Sequence, residues 1–231
     1  MNTKIFCDIA DLKLIKKFNK KKIVKGFTTN PSIMRKAGAK DYKLYWKKIL
    51  NLTSKPISFE VFADDEKKMI KQGQEISKWG KNIYVKVPVT NSKGKFMGSV
   101  INFLNKKKIK LNITAVYNAK QTNKILNKID KKTKVIISIF AGRAADVGKD
   151  PIPEFHKSIK LSKKFKNVEI LWASVREPYN YIQSKQLGCH IITVPPLIIE
   201  KIEKFGKTFD KLTTETVKAF LVDSKKSKFK I

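Results

Sequence analysis

Residues Ile83–Thr90 read IYVKVPVT, a run of β-branched and apolar residues with one lysine, Lys86, near its centre. Such composition favours a strand. Strands that alternate with helices predict a parallel sheet, and eight such units predict a closed (β/α)8 barrel, the TIM barrel. Similar runs, each followed by a polar, amphipathic segment long enough for a helix, occur at Lys4–Ala10, Val24–Asn30, Ile57–Ala63, Lys110–Tyr117, Lys134–Phe140, Val168–Val175 and His190–Pro196.

The length and the intervening segments agree with this architecture. A chain of 231 residues fits one barrel, and no Gly-, Ser- or Pro-rich linker interrupts it, so residues 1–231 are predicted to form a single domain. The segment Asp41–Leu50 has aromatic and apolar residues at helical spacing. An additional C-terminal helix is predicted over about residues 210–223, and the tail from Ser224 onward is expected to be loose.

The composition indicates a globular protein with a very basic surface. Hydrophobic residues make up 42% of the chain, enough for a buried core, but the formal net charge is +32. Clustered basic residues are typical of proteins that bind nucleic acids or anionic membranes. Here the lysines are spread along the chain, and only three of the 51 basic residues are arginine, whose planar fork reads bases. We therefore expect no specific nucleic-acid partner, and a non-catalytic nucleic-acid-binding protein is the alternative of another class.

The cysteines and the hydropathy pattern lead to an expected location. Cys7 and Cys189 have no CxxC or metal-ligand spacing, and both are predicted to be small buried residues. No apolar run reaches the roughly 18 residues of a membrane span. Asp8 and Asp11 interrupt what would be the apolar part of a signal peptide. We therefore expect a cytoplasmic protein with no membrane partner.

Polar residues recur near the carboxyl ends of the predicted strands, where a parallel sheet covered on both faces should be almost continuously apolar. Residues spaced i, i+2 lie on one face of a strand. Barrel active sites lie at the C-terminal mouth, and buried polar groups cost stability unless they are paired, so this concentration predicts an active site there. The polar residues are the pairs Thr28/Asn30, Asn112/Thr114 and Ser174/Arg176 and the single residues Asp8, Glu60 and Lys86, and Ser138 pairs with Phe140 at the same spacing.

Lys86 is the predicted nucleophile. A closed barrel has no edge strand from which an inward lysine could reach solvent. Loss of water disfavours the ammonium form, which makes a buried amine nucleophilic near neutral pH. Asp8 and Glu60 would supply carboxylates for the proton transfers of Schiff-base formation and carbon–carbon cleavage. The alternative, that either carboxylate is only a structural partner of Lys86, stays open.

Arginine and histidine give two further indications. Arg143 and Arg176 follow strand-like runs in a chain that otherwise uses lysine, which suggests a need for a planar fork at a phosphate site. The segment Gly142–Lys149 resembles a P-loop, but its spacing is one residue too long and Asp150 replaces the required Ser or Thr. The only histidines, His156 and His190, have no metal-ligand spacing, so no metal or other cofactor is predicted.

Five segments in this order resemble the transaldolase family: GFTTNPSI (Gly26–Ile33), YVKVPVT (Tyr84–Thr90), LNITAVYN (Leu111–Asn118), ISIFAGR (Ile137–Arg143) and LWASVREP (Leu171–Pro178). The resemblance runs from Lys4 to about Ile202. It implies a metal-free (β/α)8 barrel of the pentose phosphate pathway. Such an enzyme moves a dihydroxyacetone unit from fructose 6-phosphate or sedoheptulose 7-phosphate to erythrose 4-phosphate or glyceraldehyde 3-phosphate.

The resemblance also implies roles for single residues. Lys86 would form the Schiff base, Asp8 would be the acid/base, and Glu60 with Thr114 would hold a catalytic water. The remaining site residues fall into two groups. The implied substrate-binding residues are Thr28, Asn30, Asn112, Ser138 and Phe140, and the implied phosphate-binding residues are Arg143, Ser174 and Arg176.

Fructose-6-phosphate aldolases of the same family, which release free dihydroxyacetone, are the alternative function. They typically have Gln at the position of Glu60 and Tyr at that of Phe140, so this chain has the transaldolase residue at both. A carboxylate can accept and return protons through a bound water, whereas an amide cannot. Ile139 departs from the family, because full-length transaldolases often have Pro there. Short members tend to form pentamers or decamers through the C-terminal helix, so the resemblance implies a homo-oligomer.

Overall fold

The computed structural model describes residues 3–228. Consecutive strands pair in parallel, and the first strand also pairs with the last, so the sheet closes. The predicted TIM barrel is therefore confirmed. The strands are β1 (Lys4–Asp8), β2 (Val24–Thr28), β3 (Ile57–Glu60), β4 (Ile83–Pro88), β5 (Leu111–Val116), β6 (Val135–Phe140), β7 (Val168–Ala173) and β8 (Ile191–Val194).

Each strand is followed by one or more helices. Several helices begin where the side chain of an aspartate accepts a hydrogen bond from the backbone three residues on, as at Asp11, Asp41 and Asp65. Pro31 occupies the first helical position of its segment, where its missing N–H costs nothing. The helices are α1 (Leu12–Asn19), α2 (Pro31–Lys36), α3 (Tyr42–Leu50), α4 (Glu66–Ser77), α5 (Gly98–Lys106), α6 (Ala119–Leu126), α7 (Ala141–Ala145), α8 (Ile152–Ser162), α9 (Tyr179–Leu187), α10 (Pro196–Ile202) and α11 (Phe209–Ser227).

The C-terminal helix is longer than the sequence indicated. Helix α11 continues to Ser227, so the expectation of a loose tail is wrong for residues 224–227. Lys225 and Lys226 lie in its last turn, where positive charge interacts favourably with the helix dipole. The last part of the expected tail, residues 229–231, lies outside the described residues.

The inside of the barrel is built in layers, because alternate residues of every strand point inward. An apolar layer comes first and contains Phe6, Tyr84, Ile136, Leu171 and Ile191. A Cβ atom on Gly26 would lie 2.6 Å from the ring of Phe6, so this position needs glycine. The inward positions two residues after Phe6, Gly26, Tyr84, Ile136 and Ile191 are polar: Asp8, Thr28, Lys86, Ser138 and Thr193. The fold therefore seats a polar layer on an apolar floor.

Cys7 and Cys189 are buried and not bridged, as predicted. Burial raises the pKa of the Cys189 thiol to about 12, and burial with the neighbouring Asp8 raises the pKa of Cys7 further. Neither is a reactive thiolate at neutral pH. Within residues 3–228, no helix has the length and apolar character needed to span a bilayer.

Candidate active site

The polar layer borders a cavity of about 270 Å³ at the carboxyl ends of the strands. The twelve site residues predicted from the sequence come together here, and their roles stay predictions. Glu60 does not line the cavity but contacts Lys86. The other eleven line it: Asp8, Thr28, Asn30, Lys86, Asn112, Thr114, Ser138, Phe140, Arg143, Ser174 and Arg176.

Lys86 stands at the centre of this layer. Strand register places it opposite Glu60 on one side and Asn112 on the other. Its Nζ lies 3.1 Å from Oε2 of Glu60 and donates a hydrogen bond to the Thr29 carbonyl, also at 3.1 Å, and its side chain is 9% exposed. Of the lysines in residues 3–228, it alone is buried. A buried ammonium needs such partners, and the same contact places a carboxylate within reach of the amine proton.

Asp8 lies beside Lys86 in the same layer. The hydroxyl of Thr28 donates to its Oδ1 at 2.6 Å, and the Thr28 oxygen is 2.5 Å from that of Thr193. Burial raises the pKa of Asp8, and the charge of Glu60 adds to this. Lys86 and the Thr28 hydrogen bond oppose the rise without cancelling it. A carboxyl group with a raised pKa is suited to take and return a proton during a reaction.

Asn112 is held by hydrogen bonds on both sides of its amide. Its Nδ2 donates to the Ser58 hydroxyl at 2.9 Å, and the Ser138 hydroxyl donates to its Oδ1 at 2.7 Å. These bonds fix the orientation of the amide. They leave one N–H of Asn112 and the lone pairs of Ser138 available to hydroxyl groups of a bound molecule.

An irregularity in β5 lies directly after Thr114. The register between β5 and β6 shifts between Ile113 and Val116, and Ala115 has a φ of 59°. Bulges of this kind re-aim side chains near active sites. The Thr114 hydroxyl oxygen is buried and makes no hydrogen bond to another described group. Because buried hydroxyl groups are normally satisfied, Thr114 is placed to bind a water or a substrate atom.

Asn30 caps a helix and also lines the cavity. Its Oδ1 accepts a hydrogen bond from the Ile33 backbone N–H at 2.9 Å and so caps α2. Because the oxygen is engaged, the amide NH2 remains as the donor for the cavity. A side chain that caps a helix in this way is held rigidly.

The opposite wall of the cavity carries two arginines. The Arg143 guanidinium carbon lies 5.8 Å from the centre of the Phe140 ring. Arg176 forms a bidentate ion pair with Asp146, at 3.0 Å from Nε and 2.5 Å from Nη2. These hydrogen bonds hold the pKa of Asp146 below its usual range. One edge of the Arg176 fork is therefore fixed by Asp146, its Nη1 donates to the Ser174 carbonyl at 3.4 Å, and the residue lines the cavity.

A close backbone contact joins the two arginine-bearing segments. A Cβ atom on Gly142 would lie 1.8 Å from the carbonyl oxygen of Ser174, so only glycine fits there. Ser174 itself has a φ of 64°, an uncommon conformation for a residue other than glycine. Backbone strain of this kind is concentrated at functional sites.

Sequence reasoning missed three contributors to the site. Ser58 precedes Glu60 by two residues, and Thr193 is a polar residue inside an apolar run, so the i, i+2 rule could have found both. Asp146 directly follows α7, the short helix after β6, and no pattern within the strands indicates it. Its contact with Arg176 depends on how two loops meet.

The histidines lie away from this cavity, on another cavity of the molecule. His156 is exposed on α8. Burial lowers the pKa of His190, whose Nδ1 accepts a hydrogen bond from the Ile170 backbone N–H. Within the described ranges, no group of three or more His, Cys, Asp or Glu side chains is placed to hold a metal ion.

The fold and the site together define a TIM barrel with one buried lysine between carboxylates at its C-terminal mouth. The profile of the Transaldolase/Fructose-6-phosphate aldolase family matches residues 5–231. The chain therefore belongs to this family, as its motifs predicted.

Individual relatives agree with this assignment. A protein of Methanococcus maripaludis named "Probable transaldolase" is 33% identical over 221 residues, 95% of this chain and 96% of that protein. One of the same name from Thermoanaerobacter sp. is 32% identical over 229 residues, 99% of this chain and 100% of that protein. Among solved structures, a mandelate oxidase mutant is similar with a TM-score of 0.58 and 9% identity, over 84% of this chain and 66% of that one. That likeness shows the fold alone.

Proposed function

We propose that the protein is a transaldolase, which transfers a dihydroxyacetone unit between sugar phosphates through a Schiff base on Lys86. The observation that carries the proposal is the position of the Lys86 amine. It is nearly inaccessible from outside the cavity and lies 3.1 Å from a Glu60 oxygen, in the same layer as Asp8. The proposal includes a cytoplasmic location and a place in the pentose phosphate pathway.

The first half-reaction begins with the amine. After Lys86 has lost a proton, with Glu60 as the nearest acceptor, Nζ adds to C2 of fructose 6-phosphate. The carbinolamine then loses water to give an iminium ion. Glu60 and Thr114 would hold the water that carries these protons.

Carbon–carbon cleavage follows. The Asp8 carboxylate takes the proton of the C4 hydroxyl, the C3–C4 bond breaks, and its electron pair moves into the iminium to form an enamine on Lys86. Glyceraldehyde 3-phosphate leaves. The raised pKa of Asp8 makes its carboxylate a stronger base than an ordinary aspartate, which suits this step.

The second half-reaction reverses these steps with another aldehyde. The enamine carbon attacks the aldehyde of erythrose 4-phosphate, and Asp8 returns its proton to the new hydroxyl group. Hydrolysis of the iminium releases sedoheptulose 7-phosphate and frees Lys86. Asn30, Asn112 and Ser138 would hold the hydroxyls of the dihydroxyacetone unit. Arg143, Ser174 and Arg176 would bind the phosphate of donor and acceptor, since planar guanidinium groups match phosphate oxygens.

A coupled assay tests the proposal. We would measure release of glyceraldehyde 3-phosphate from fructose 6-phosphate, with and without erythrose 4-phosphate, for the wild type and for Lys86→Ala. Release should depend on the acceptor and should fall by about 10⁴-fold or more without the nucleophile. Lys55→Ala, which removes a half-buried lysine outside the cavity, is the matched control.

The other outcomes separate the alternatives. Equal release without acceptor, with free dihydroxyacetone accumulating, would identify a fructose-6-phosphate aldolase. Activity that survives in Lys86→Ala would exclude the Schiff-base mechanism. No release under either condition would exclude these substrates.

The C-terminal helix supports a further part of the proposal, a homo-oligomer. None of the described residues of α11 is buried. Even its large apolar side chains are exposed, Phe209 by 86% and Phe220 by 67%. Exposed apolar faces of this kind mark contact surfaces. We propose that a second copy of the chain covers this helix, with a pentamer or decamer as the expected assembly.

Light scattering on a sizing column checks the assembly. Wild type should elute as an oligomer, and Phe220→Lys should shift it toward the monomer. Thr214→Lys adds the same charge to the same helix without removing an apolar side chain, so this variant should remain an oligomer. A monomeric wild type would contradict the proposal.

A further inference from the structure

The N-terminal end of the barrel carries a second large cavity, of about 1030 Å³, on the face opposite the active site. It lies where β1, β6, β7 and β8 begin, beside the C-terminal half of α8. Seven lysines line it, six of them within residues 131–134 and 160–166. A single acidic residue, Glu169, lines it, and Lys4 already pairs with that carboxylate at 2.5 Å.

The cavity is distinguished by the concentration of lysines around one concave surface, with Glu169 as the single acidic residue on its lining. Among the described residues, none of those six lysines forms an ion pair, and all six are exposed. Elsewhere in the described structure some lysines pair with carboxylates, as Lys17 with Glu200 and Lys108 with Asp130, and many others are also without an ion pair. Uncompensated lysines around a concave surface focus the potential there and attract anions.

The cavity continues over α8. A neighbouring cavity of about 810 Å³ shares Lys131, Lys160 and Phe165 with it and reaches α6. We call the combined surface the lysine groove. Its rim is basic and its floor includes apolar side chains, among them Leu126 and Leu161. A continuous groove suits a long, flexible ligand better than a single small anion.

Phe165 stands where the two cavities join. The ring is half-buried, and Lys131 Nζ lies 5.7 Å from its centre. Proteins that bind single strands without sequence preference combine a basic groove with aromatic rings on which bases stack. Lysine suffices for that task, since phosphate contacts carry no sequence information.

We propose that the lysine groove binds single-stranded nucleic acid without sequence preference, its phosphates on the lysines and a base on Phe165. The apolar floor favours this ligand over inorganic polyphosphate, which has no apolar part. The proposal is independent of the reaction at the other end of the barrel. It is also compatible with the absence of arginine from the described residues that line the groove, because no base edge needs to be read.

The test uses a fluorescent oligouridylate of about 15 nucleotides, whose anisotropy is followed with the full-length protein over a range of KCl concentrations. A groove variant replaces Lys131, Lys160, Lys163 and Lys166 with Gln. The matched control replaces four exposed lysines on the other side of the barrel with Gln: Lys13, Lys48, Lys67 and Lys71. Both variants lose the same charge, and thermal melting verifies that both are folded.

The wild type should bind with roughly micromolar affinity near physiological salt. The groove variant should bind at least about tenfold more weakly, and the slope of log affinity against log salt should fall by about 3, at roughly 0.7 per phosphate contact. The control variant should retain its affinity within about twofold, as expected when charges distant from the ligand are screened. Equal losses in both variants, or no binding by the wild type, would overturn the proposal.

A second variant tests the aromatic contact. Phe165→Leu keeps an apolar side chain in the core contact but removes the ring, and it should weaken oligouridylate binding by about fivefold or more. Binding of inorganic polyphosphate should not change. If Phe165→Leu leaves both affinities unchanged and polyphosphate competes as well as the oligonucleotide, the nucleic-acid assignment is wrong.

Discussion

The two ends of this barrel both present basic groups, but they do so in opposite ways. At the C-terminal mouth, a cavity of about 270 Å³ encloses Lys86 and two arginines. Lys86 and Arg176 there are held by carboxylates. At the N-terminal end, a cavity of about 1030 Å³ is surrounded by exposed lysines with little acidic compensation. In the functions proposed above, the mouth would owe its chemistry to desolvation and fixed geometry, whereas the lysine groove would owe its attraction for anions to summed charge. Net charge alone therefore does not indicate where the reaction takes place.

Of the substitutions considered below, Asp8→Asn should have the largest effect on activity. It should change the chemistry at the mouth and leave the lysine groove unaffected. The turnover number should fall by about 10² to 10⁴-fold, because an amide cannot accept the proton of the cleaved hydroxyl. Borohydride should still trap the substrate on Lys86, since formation of the Schiff base does not need Asp8.

Two controls accompany this measurement. Asp41→Asn leaves the α3 cap intact, because Asn caps helices as well as Asp, and it should keep full activity. The four-lysine groove variant should also keep it. A loss of activity in the groove variant would show that the two ends of the barrel are coupled, which would contradict their independence.

Gly142→Ala should impair the wall that we propose to bind phosphate. The added Cβ would lie 1.8 Å from the Ser174 carbonyl oxygen and 3.0 Å from Cγ of Arg176, so the loop must move. A displacement of about 1 Å can cost on the order of 100-fold. We therefore expect the KM for fructose 6-phosphate to rise by about 10- to 100-fold.

Transfer from an unphosphorylated donor should change much less in this variant, and steady-state kinetics on both donors check the difference. Gly80→Ala, whose Cβ would lie no closer than 3.1 Å to a neighbouring side-chain atom, is the control. Equal effects on both donors would mean that Gly142 supports the whole site rather than the phosphate end.

Asp8→Asn should also change stability, in the opposite direction to activity. Because the pKa of Asp8 is raised in the folded state, the folded protein holds the proton more tightly than the unfolded chain. The protonated carboxyl group therefore stabilises the folded state below about pH 3.9, the ordinary aspartate pKa. This stabilisation is lost as the pH rises through the raised pKa of Asp8 in the folded protein. At pH 7 the ionised carboxylate therefore weakens the fold, and Asn should raise the melting temperature. The difference should shrink in acid, and a lower melting temperature at pH 7 would contradict the cause assigned to the shift.

Thr28→Val should have the smallest effect. The Thr28 hydroxyl donates to Asp8 and lowers its pKa, so its removal should raise that pKa further. Because cleavage needs the ionised form, the acid limb of the turnover profile should move to higher pH. Thr193→Val leaves the Thr28–Asp8 hydrogen bond in place and should shift the limb less. An unchanged limb in Thr28→Val would mean that another group titrates there.

The order of inward-facing residues along the strands explains which parts of the site could be predicted from the sequence. A polar residue two positions after an inward apolar one, as Lys86 after Tyr84 or Ser138 after Ile136, is visible in the sequence because the strand period is two. The polar layer, its position at the carboxyl ends and the buried lysine could therefore be predicted. The end of α11 was misjudged, because a polar, lysine-rich tail carries no periodic apolar signal.

The eight strands, the residues of the mouth and the family could be predicted from the sequence, because they depend on local periodicity and short motifs. The contacts between loops depend on the tertiary structure. Asp146 reaches Arg176, and Gly142 contacts Ser174, through the way β6 and β7 end side by side. The lysine groove likewise joins residues near 131 with residues near 160. Charges spread along a chain become one surface only when the fold closes, since their interaction depends on distance in space.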